Sequence, residues 1–256
     1  MASASIRIEN LCKDFQSHGN GATWRALENV SLKVNSGEFV TILGPSGCGK
    51  STLLNALSGL DRDFTGAVAI EHNGIRANKA RVAYLFQEPR LLPWRTVRSN
   101  VEFALDAAGF AKSEWSDRAD KWINLVGLKG FADFYPLQLS GGMQQRAAIA
   151  RAFSIEPEVL LMDEPFSALD ELTARRMRQE LLSLWEADRR TVLFVTHNSL
   201  EAVYLSDRIL IMKRGPGSHV CEEIVLDHLA RPRVYEDPAQ FETQKSVLQR
   251  LMHHVA

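Results

Sequence analysis

Short apolar runs and helical periodicities take turns along this chain. Apolar residues at 5–8, 29–34, 39–43, 66–72 and 81–86 predict strands, and the runs resume at VLLM (159–162), TVLFVT (191–196) and RILIM (208–212). STLLNALS (51–58) predicts a helix ended by Gly59, and residues 171–187 and 198–206 predict two more. Asn198 can cap the last of these, with Glu201 at the capping-box spacing. Apolar strands alternating with helices predict an α/β chain whose sheet is mostly parallel and covered on both faces. Residues 88–155 break the alternation with mostly helical signals, at 113–126 (stopped by Gly127) and 141–153. They read as an inserted helical lobe. Pro216 and Gly217 interrupt the chain late, and residues 238–254 predict a closing helix. The expected organisation is one domain with a core at 1–87 and 156–230, a helical subdomain at 88–155 and a C-terminal helical tail at 231–256.

Composition narrows the class. A chain of 256 residues allows one large domain or one domain with an inserted lobe. Thirty basic against 31 acidic residues leave a net charge of −1, which argues against nucleic acid as a partner. Cys12, Cys48 and Cys221 are odd in number and far apart, so no disulfide framework is expected and a reducing, cytosolic setting fits. MASASIRIEN lacks a signal-peptide core, and no apolar run approaches the ~20 residues that span a bilayer. A soluble chain is expected.

The chemistry begins at GPSGCGKST (44–52), directly behind the strand FVTIL. Gly44, Gly47 and Gly49 free the backbone to turn successive N–H groups into one concavity, with Pro45, Ser46 and Cys48 between them. The helix that follows adds its unpaired first-turn N–H groups and the positive end of its dipole. Lys50 supplies charge for the outer phosphates, Ser51 a hydroxyl for Mg2+, and Thr52 completes the G-x-x-x-x-G-K-[ST] pattern of a P-loop. The fold expected from the motif is a P-loop NTPase core carrying the inserted helical lobe, and the ligand a nucleoside triphosphate with Mg2+.

Hydrolysis needs carboxylates beside that loop. VLLMDEP (159–165) places Asp163 at a strand's carboxyl end, suited to hold the metal, and Glu164 one residue later, suited to polarise the attacking water. His197, after the strand ending in Thr196, is a further candidate; from the residues alone it is equally a turn histidine. In LSGGMQQR (139–146), Ser140 caps a helix while Gly141 and Gly142 expose first-turn N–H groups, a second anion cradle or simply a flexible helix start. Two cradles can serve one ligand if two copies pack head to tail.

GPSGCGKST, Gln87, LSGGMQQR, LLMDEP, SALD (167–170) and His197, in this order, resemble the ATP-binding subunit of ABC transporters over nearly the whole chain. The resemblance implies an antiparallel β part beside the P-loop core, ATP as the nucleotide, and an ATP-driven homodimer clamped on transmembrane permease subunits at the cytoplasmic face of the cell membrane. It implies Phe15 as the aromatic that stacks on adenine and Gln87 as the link between Mg2+, attacking water and permease. Ser140, Gly141 and Gly142 would hold the γ-phosphate of the opposite subunit's ATP, Asp170 would join the two sites, and His197 would be the switch histidine. Met143 departs from the family, which most often has glutamine there.

FQEPRLLPWRTVRSNV (86–101), DEPFSALDELT (163–173), RGPG (214–217) and ARPR (230–233) are similar to the nitrate, sulfonate and taurine importer group. That narrower resemblance implies uptake of a small anion through a separate permease fed by a substrate-binding protein. An importer for another substrate, or an exporter, is the alternative. LLPW (91–94) reads either as lobe packing or as the surface that docks a membrane helix. Chromosome-type ATPases carry a long coiled coil that the 90 residues between Lys50 and Ser140 cannot hold, and translation-type relatives carry every motif twice. Arg175, Arg176 and Arg178, with Glu180 and Glu186, read as a solvated helix face. His253 and His254 read as a disordered tail, and Phe241, Leu248, Leu251 and Met252 as one apolar stripe used in the core or in a dimer.

Overall fold

The computed structural model describes residues 4–16, 23–77 and 80–255. Its centre is a six-stranded sheet in which β3 (Phe39–Leu43), β6 (Val82–Leu85), β7 (Val159–Asp163), β8 (Thr191–Thr196) and β9 (Arg208–Lys213) run parallel and β10 (His219–Val225) runs antiparallel at one edge. The order is β10-β9-β3-β8-β7-β6. Every residue of β3, β7 and β8 is buried, which is why these strands read as unbroken apolar runs.

A second, antiparallel sheet carries β1 (Ser5–Gln16), β2 (Thr23–Val34), β4 (Thr65–His72) and β5 (Ile75–Arg76) in the order β2-β1-β4-β5. β1 and β2 are longer than the apolar pattern predicts. Register shifts between Ile8 and Leu11, Leu11 and Lys13, and Lys13 and Asp14 disturb the period-two alternation there. β10 was not predicted: as an edge strand it keeps Glu222 and Glu223 half-buried or exposed and lacks an apolar face.

Residues 88–155 contain α2 (Val97–Ala107), α3 (Lys112–Leu125) and α4 (Gly141–Ser154). Through Ala147, Ile149 and Phe153 these helices share one apolar core with Leu85, Leu160 and Met162 of the sheet. α1 (Lys50–Ser58) lies on the other side, where Leu53, Leu54 and Leu57 join Ile6, Ile8 and Leu161 between the two sheets. The LLPW turn is pinned by buried Asn100, whose Oδ1 accepts from Leu92 N at 2.8 Å and whose Nδ2 donates to the Leu92 and Arg95 carbonyls at 3.2 and 3.0 Å. Trp94 stands out from that turn, 70% exposed, so it is not core.

α5 (Glu171–Ala187), α6 (Ser199–Leu205) and α7 (Pro238–Val255) complete the chain. The arginines of ARPR cap the end of α6: Arg231 donates to Leu205 O at 3.0 Å, and Arg233 to Val203 O and Ser206 O at 3.1 and 2.9 Å. Cations suit that helix end.

Four expectations are corrected here. Arg178 is 1% exposed and belongs to a buried ionic network, not to a solvated face. Asn198 caps α6 through Leu200 N at 2.9 Å, while Glu201 turns inward to Thr196 and Arg178 instead of closing a capping box. His253 and His254 lie within α7, and His254 Nε2 meets Glu222 Oε2 at 2.9 Å. The α7 stripe is core only at Leu251, packed beside buried Val247, while Phe241, Leu248 and Met252 face outward. No helix among the described residues is long and apolar enough to cross a membrane.

Candidate functional site

The carboxyl ends of β3, β7 and β8 bring the predicted residues to one place. Gly44 leaves β3 with its N–H on Thr196 O at 3.3 Å, and a Cβ there would meet Met212 O at 2.6 Å. Gly47 and Gly49 have φ of 77° and 85°, which favour glycine. Gly49 is the N-cap of α1 and gives it no side-chain cap, so the first-turn N–H groups are left for the loop's concavity. Ser46 and Ser51 are exposed, Pro45 and Thr52 half-buried. The Cys48 side chain is buried behind the loop, and burial pushes its thiol up.

Lys50 is 5% exposed. Its Nζ donates to the Gly44 and Pro45 carbonyls, both at 2.9 Å, and lies 3.5 Å from Glu164 Oε1. Glu164 turns off β7 with φ of 45°, an uncommon backbone state for a non-glycine residue. Its N–H on Val195 O at 2.9 Å ties that turn to β8. The second carboxylate oxygen, Oε2, lies 2.9 Å from Nδ1 of exposed His197. Glu164 is thus held between an ammonium and an imidazole.

Asp163, beside it, is buried. Burial pushes its carboxyl up, with the nearby Ser51 and Tyr84 hydroxyls and the Lys50 charge pulling the other way; the Tyr84 hydroxyl donates to Asn55 Oδ1 at 3.2 Å. A cation would favour its ionised form. Sequence reasoning missed Tyr84. Its only signal is register, since β6 runs parallel to β7 with Tyr84 opposite Leu161.

The remaining predicted residues sit elsewhere. Gln87 is exposed just beyond β6. Phe15, 41% exposed at the end of β1, stacks on Trp24 with centroids 6.3 Å apart and the Lys13 ammonium 5.0 Å from its ring. Ser140 caps α4, accepting from Met143 N at 3.3 Å; Gly141 is exposed and Gly142 packs near Leu169. Asp170 caps α5 through Thr173 N at 3.0 Å, a bond that holds its carboxyl below the ordinary range.

The donors fit a nucleoside triphosphate with magnesium. A glycine cradle, an uncapped helix start and a buried ammonium suit phosphates, while the Ser51 hydroxyl and Asp163 carboxylate are hard oxygen donors suited to Mg2+.

Comparison with known proteins gives the family. The profile of the ABC transporter family matches residues 27–167, a little over half the chain. The chain belongs to the ABC transporter family. It is an ATP-binding domain of that family and an ATPase. An uncharacterised ABC transporter ATP-binding protein of Methanocaldococcus jannaschii is 46% identical over 250 residues, 98% of this chain and 92% of the relative. The aliphatic sulfonates import ATP-binding protein SsuB of Bacillus cereus is 43% identical over 247 residues, 96% of this chain and 95% of that protein. Among solved structures, the dimeric ABC transporter cassette MJ0796 superposes with a TM-score of 0.77 at 36% identity, covering 86% of this chain and 98% of the cassette. A dimeric post-hydrolysis state of that cassette, bound to ADP and Pi, gives 0.75 at 35%, with the same coverage.

Proposed function

We propose that the chain is the ATPase subunit of an importer that drives a small organic anion of the aliphatic sulfonate type through a separate permease. The observation that carries the catalytic part is Glu164, one carboxylate oxygen 3.5 Å from Lys50 Nζ and the other 2.9 Å from His197 Nδ1. The substrate class rests on the SsuB relatives, at 43% and 42% identity over nearly the whole chain.

In this reading the N–H groups of residues 44–52, the Lys50 ammonium and the Thr52 hydroxyl bind the phosphates, and Phe15 stacks on the adenine. Ser51, Asp163 and Gln87 would hold Mg2+, which when bound neutralises charge on the phosphate oxygens. Glu164 accepts the proton of the attacking water, and His197 orients that carboxylate and reaches the γ-phosphate. Ser140, Gly141 and Gly142 complete the site of a second copy, because an α4 N-terminus and a P-loop both offer N–H groups to the same anion. Asp170 lies between the two sites. The dimer sits on the cytoplasmic face of its permease, which receives substrate from a binding protein.

Growth tests the whole reading. In a strain lacking the chromosomal copy, the wild-type chain should restore growth on an aliphatic sulfonate as sole sulfur source, and Lys50→Ala should not. Growth on sulfonate without any copy would remove the substrate class; growth with Lys50→Ala would remove the P-loop role.

Trp94 is assigned to the permease contact, since an indole 70% exposed on a turn pinned by Asn100 is a rigid anchor of the kind that dominates interfaces. Trp94→Ala should leave the ATPase of the isolated chain within about twofold and cost about 2 kcal/mol or more of permease affinity. Co-purification and permease-stimulated ATPase measure this. An unfolded variant, or full stimulation, would count against the assignment.

A further inference from the structure

Arg178 on α5 is a buried guanidinium that the scheme above does not use. It is 1% exposed and each of its nitrogens has an oxygen partner: Nη1 donates to Glu201 Oε1 at 3.2 Å, Nη2 to Glu171 Oε1 at 2.5 Å, and Nε to the Tyr235 hydroxyl at 2.8 Å. The other oxygen of Glu201, itself buried, accepts from Thr196 Oγ1 at 2.7 Å. Thr196 Oγ1 in turn accepts from the Asn198 N–H at 3.0 Å. Thr196 and Asn198 are the two chain neighbours of His197. The Thr196 hydroxyl, which takes the Asn198 N–H from the far side of the histidine, is therefore held by one carboxylate, and that carboxylate by Arg178.

Tyr235 brings in the chain's last segment. It lies between Arg233, which caps α6, and the start of α7. Its ring stacks on Tyr204 of α6 with centroids 4.0 Å apart, and the Arg175 guanidinium lies 4.5 Å from its centroid while pairing with Glu236. Burial keeps the phenol neutral, pushed up to about 12. Buried ion pairs are poor sources of net stability, because desolvation offsets the attraction. Their geometry, with a planar fork that fixes three oxygens at once, is better suited to holding a position.

We propose that Arg178, oriented by Tyr235, is a positioning residue for His197, so that residues 231–237 set the turnover of the ATPase site. The proposal rests on the role given above to Glu164 and His197. The P-loop meets the network only at Gly44, whose N–H lies on the Thr196 carbonyl at 3.3 Å and not on the hydroxyl that Glu201 holds, so nucleotide binding is left alone and the alignment of histidine with carboxylate is what changes. Small misplacements at a reacting centre have large kinetic effects.

Tyr235→Phe tests this, since it keeps the ring and its stacking and removes only the oxygen that Arg178 uses. It should lower kcat about three- to tenfold, the range over which residues along such networks modulate a distant site, with KM for ATP and Tm close to wild type. Arg178→Lys, a single donor in place of the fork, should lower kcat further. In a His197→Ala background Tyr235→Phe should cause no additional loss, because two changes acting through one group are not additive. Unchanged kcat in folded Tyr235→Phe, or a loss that persists undiminished with His197→Ala, would overturn the proposal. Wild-type kcat in His197→Ala alone would instead overturn the catalytic reading on which it stands.

Discussion

Glu164→Gln should bind ATP, hydrolyse it about 10²–10⁴ times more slowly, and accumulate as a dimer. The amide fits the space between Lys50 and His197 and still offers an oxygen to one of them, so the loop and its phosphate contacts survive. What it lacks is an oxygen basic enough to take the proton of the attacking water. In the proposed shared site the γ-phosphate would then stay, and with it the contact to Ser140 of a second copy. Bringing two copies together costs association entropy of about 4–15 kcal/mol, which two lasting shared ATP molecules offset and two transient ones do not. Gel filtration with ATP, alongside phosphate release, reads both effects. A variant that turns over at the wild-type rate would exclude Glu164 as the base, and one that never dimerises would exclude the shared site.

Arg178→Met should be strongly destabilising. It leaves Glu201 buried without its cation, and breaking a buried pair from one side costs about 3–5 kcal/mol. For a chain of this size each kcal/mol moves Tm by roughly 2–4 °C, so a loss on the order of 10 °C is expected. The sign of its pH dependence follows from Glu201. Burial already pushes that carboxyl up, with Thr196 and Arg178 pulling the other way. Without the arginine it rises further above its unfolded value, so the native state binds the extra proton and stability is recovered as pH falls through the folded pKa. The Tm deficit should therefore shrink toward acid pH, by thermal scans of both proteins across the carboxylate range. A deficit that is small, or that grows as pH falls, would contradict the network.

That arginine also shows where the sequence stopped being readable. A basic residue on a helix with glutamates nearby looks the same whether it meets water or a buried carboxylate, because the partner Glu201 belongs to another helix. Glu201 itself stands at the spacing of a capping box, and only its inward turn reveals another use. In contrast, β3, β7 and β8 were legible because burial on both faces leaves an unbroken apolar run, and their ends led directly to Lys50, Asp163, Glu164 and His197. β10 was lost as an edge strand, and most of β1 and half of β2 where register shifts disturb the pairing. Tyr84 was lost because a hydroxyl on a strand carries no mark of the carboxylate its neighbour strand will bring.

The position of β3 sets an order on how the chain comes into being. Its two neighbours are β8 and β9, made from residues 191–196 and 208–213, so nothing that leaves the ribosome before them can pair with it. At about 5–20 residues per second, the phosphate loop exists for roughly ten to thirty seconds before its sheet does. During that interval five residues destined for complete burial, with both backbone edges open, are presented to whatever else the cell contains. The parallel sheet around β3 closes only when β8 and β9 arrive, and the catalytic site is assembled in that same event.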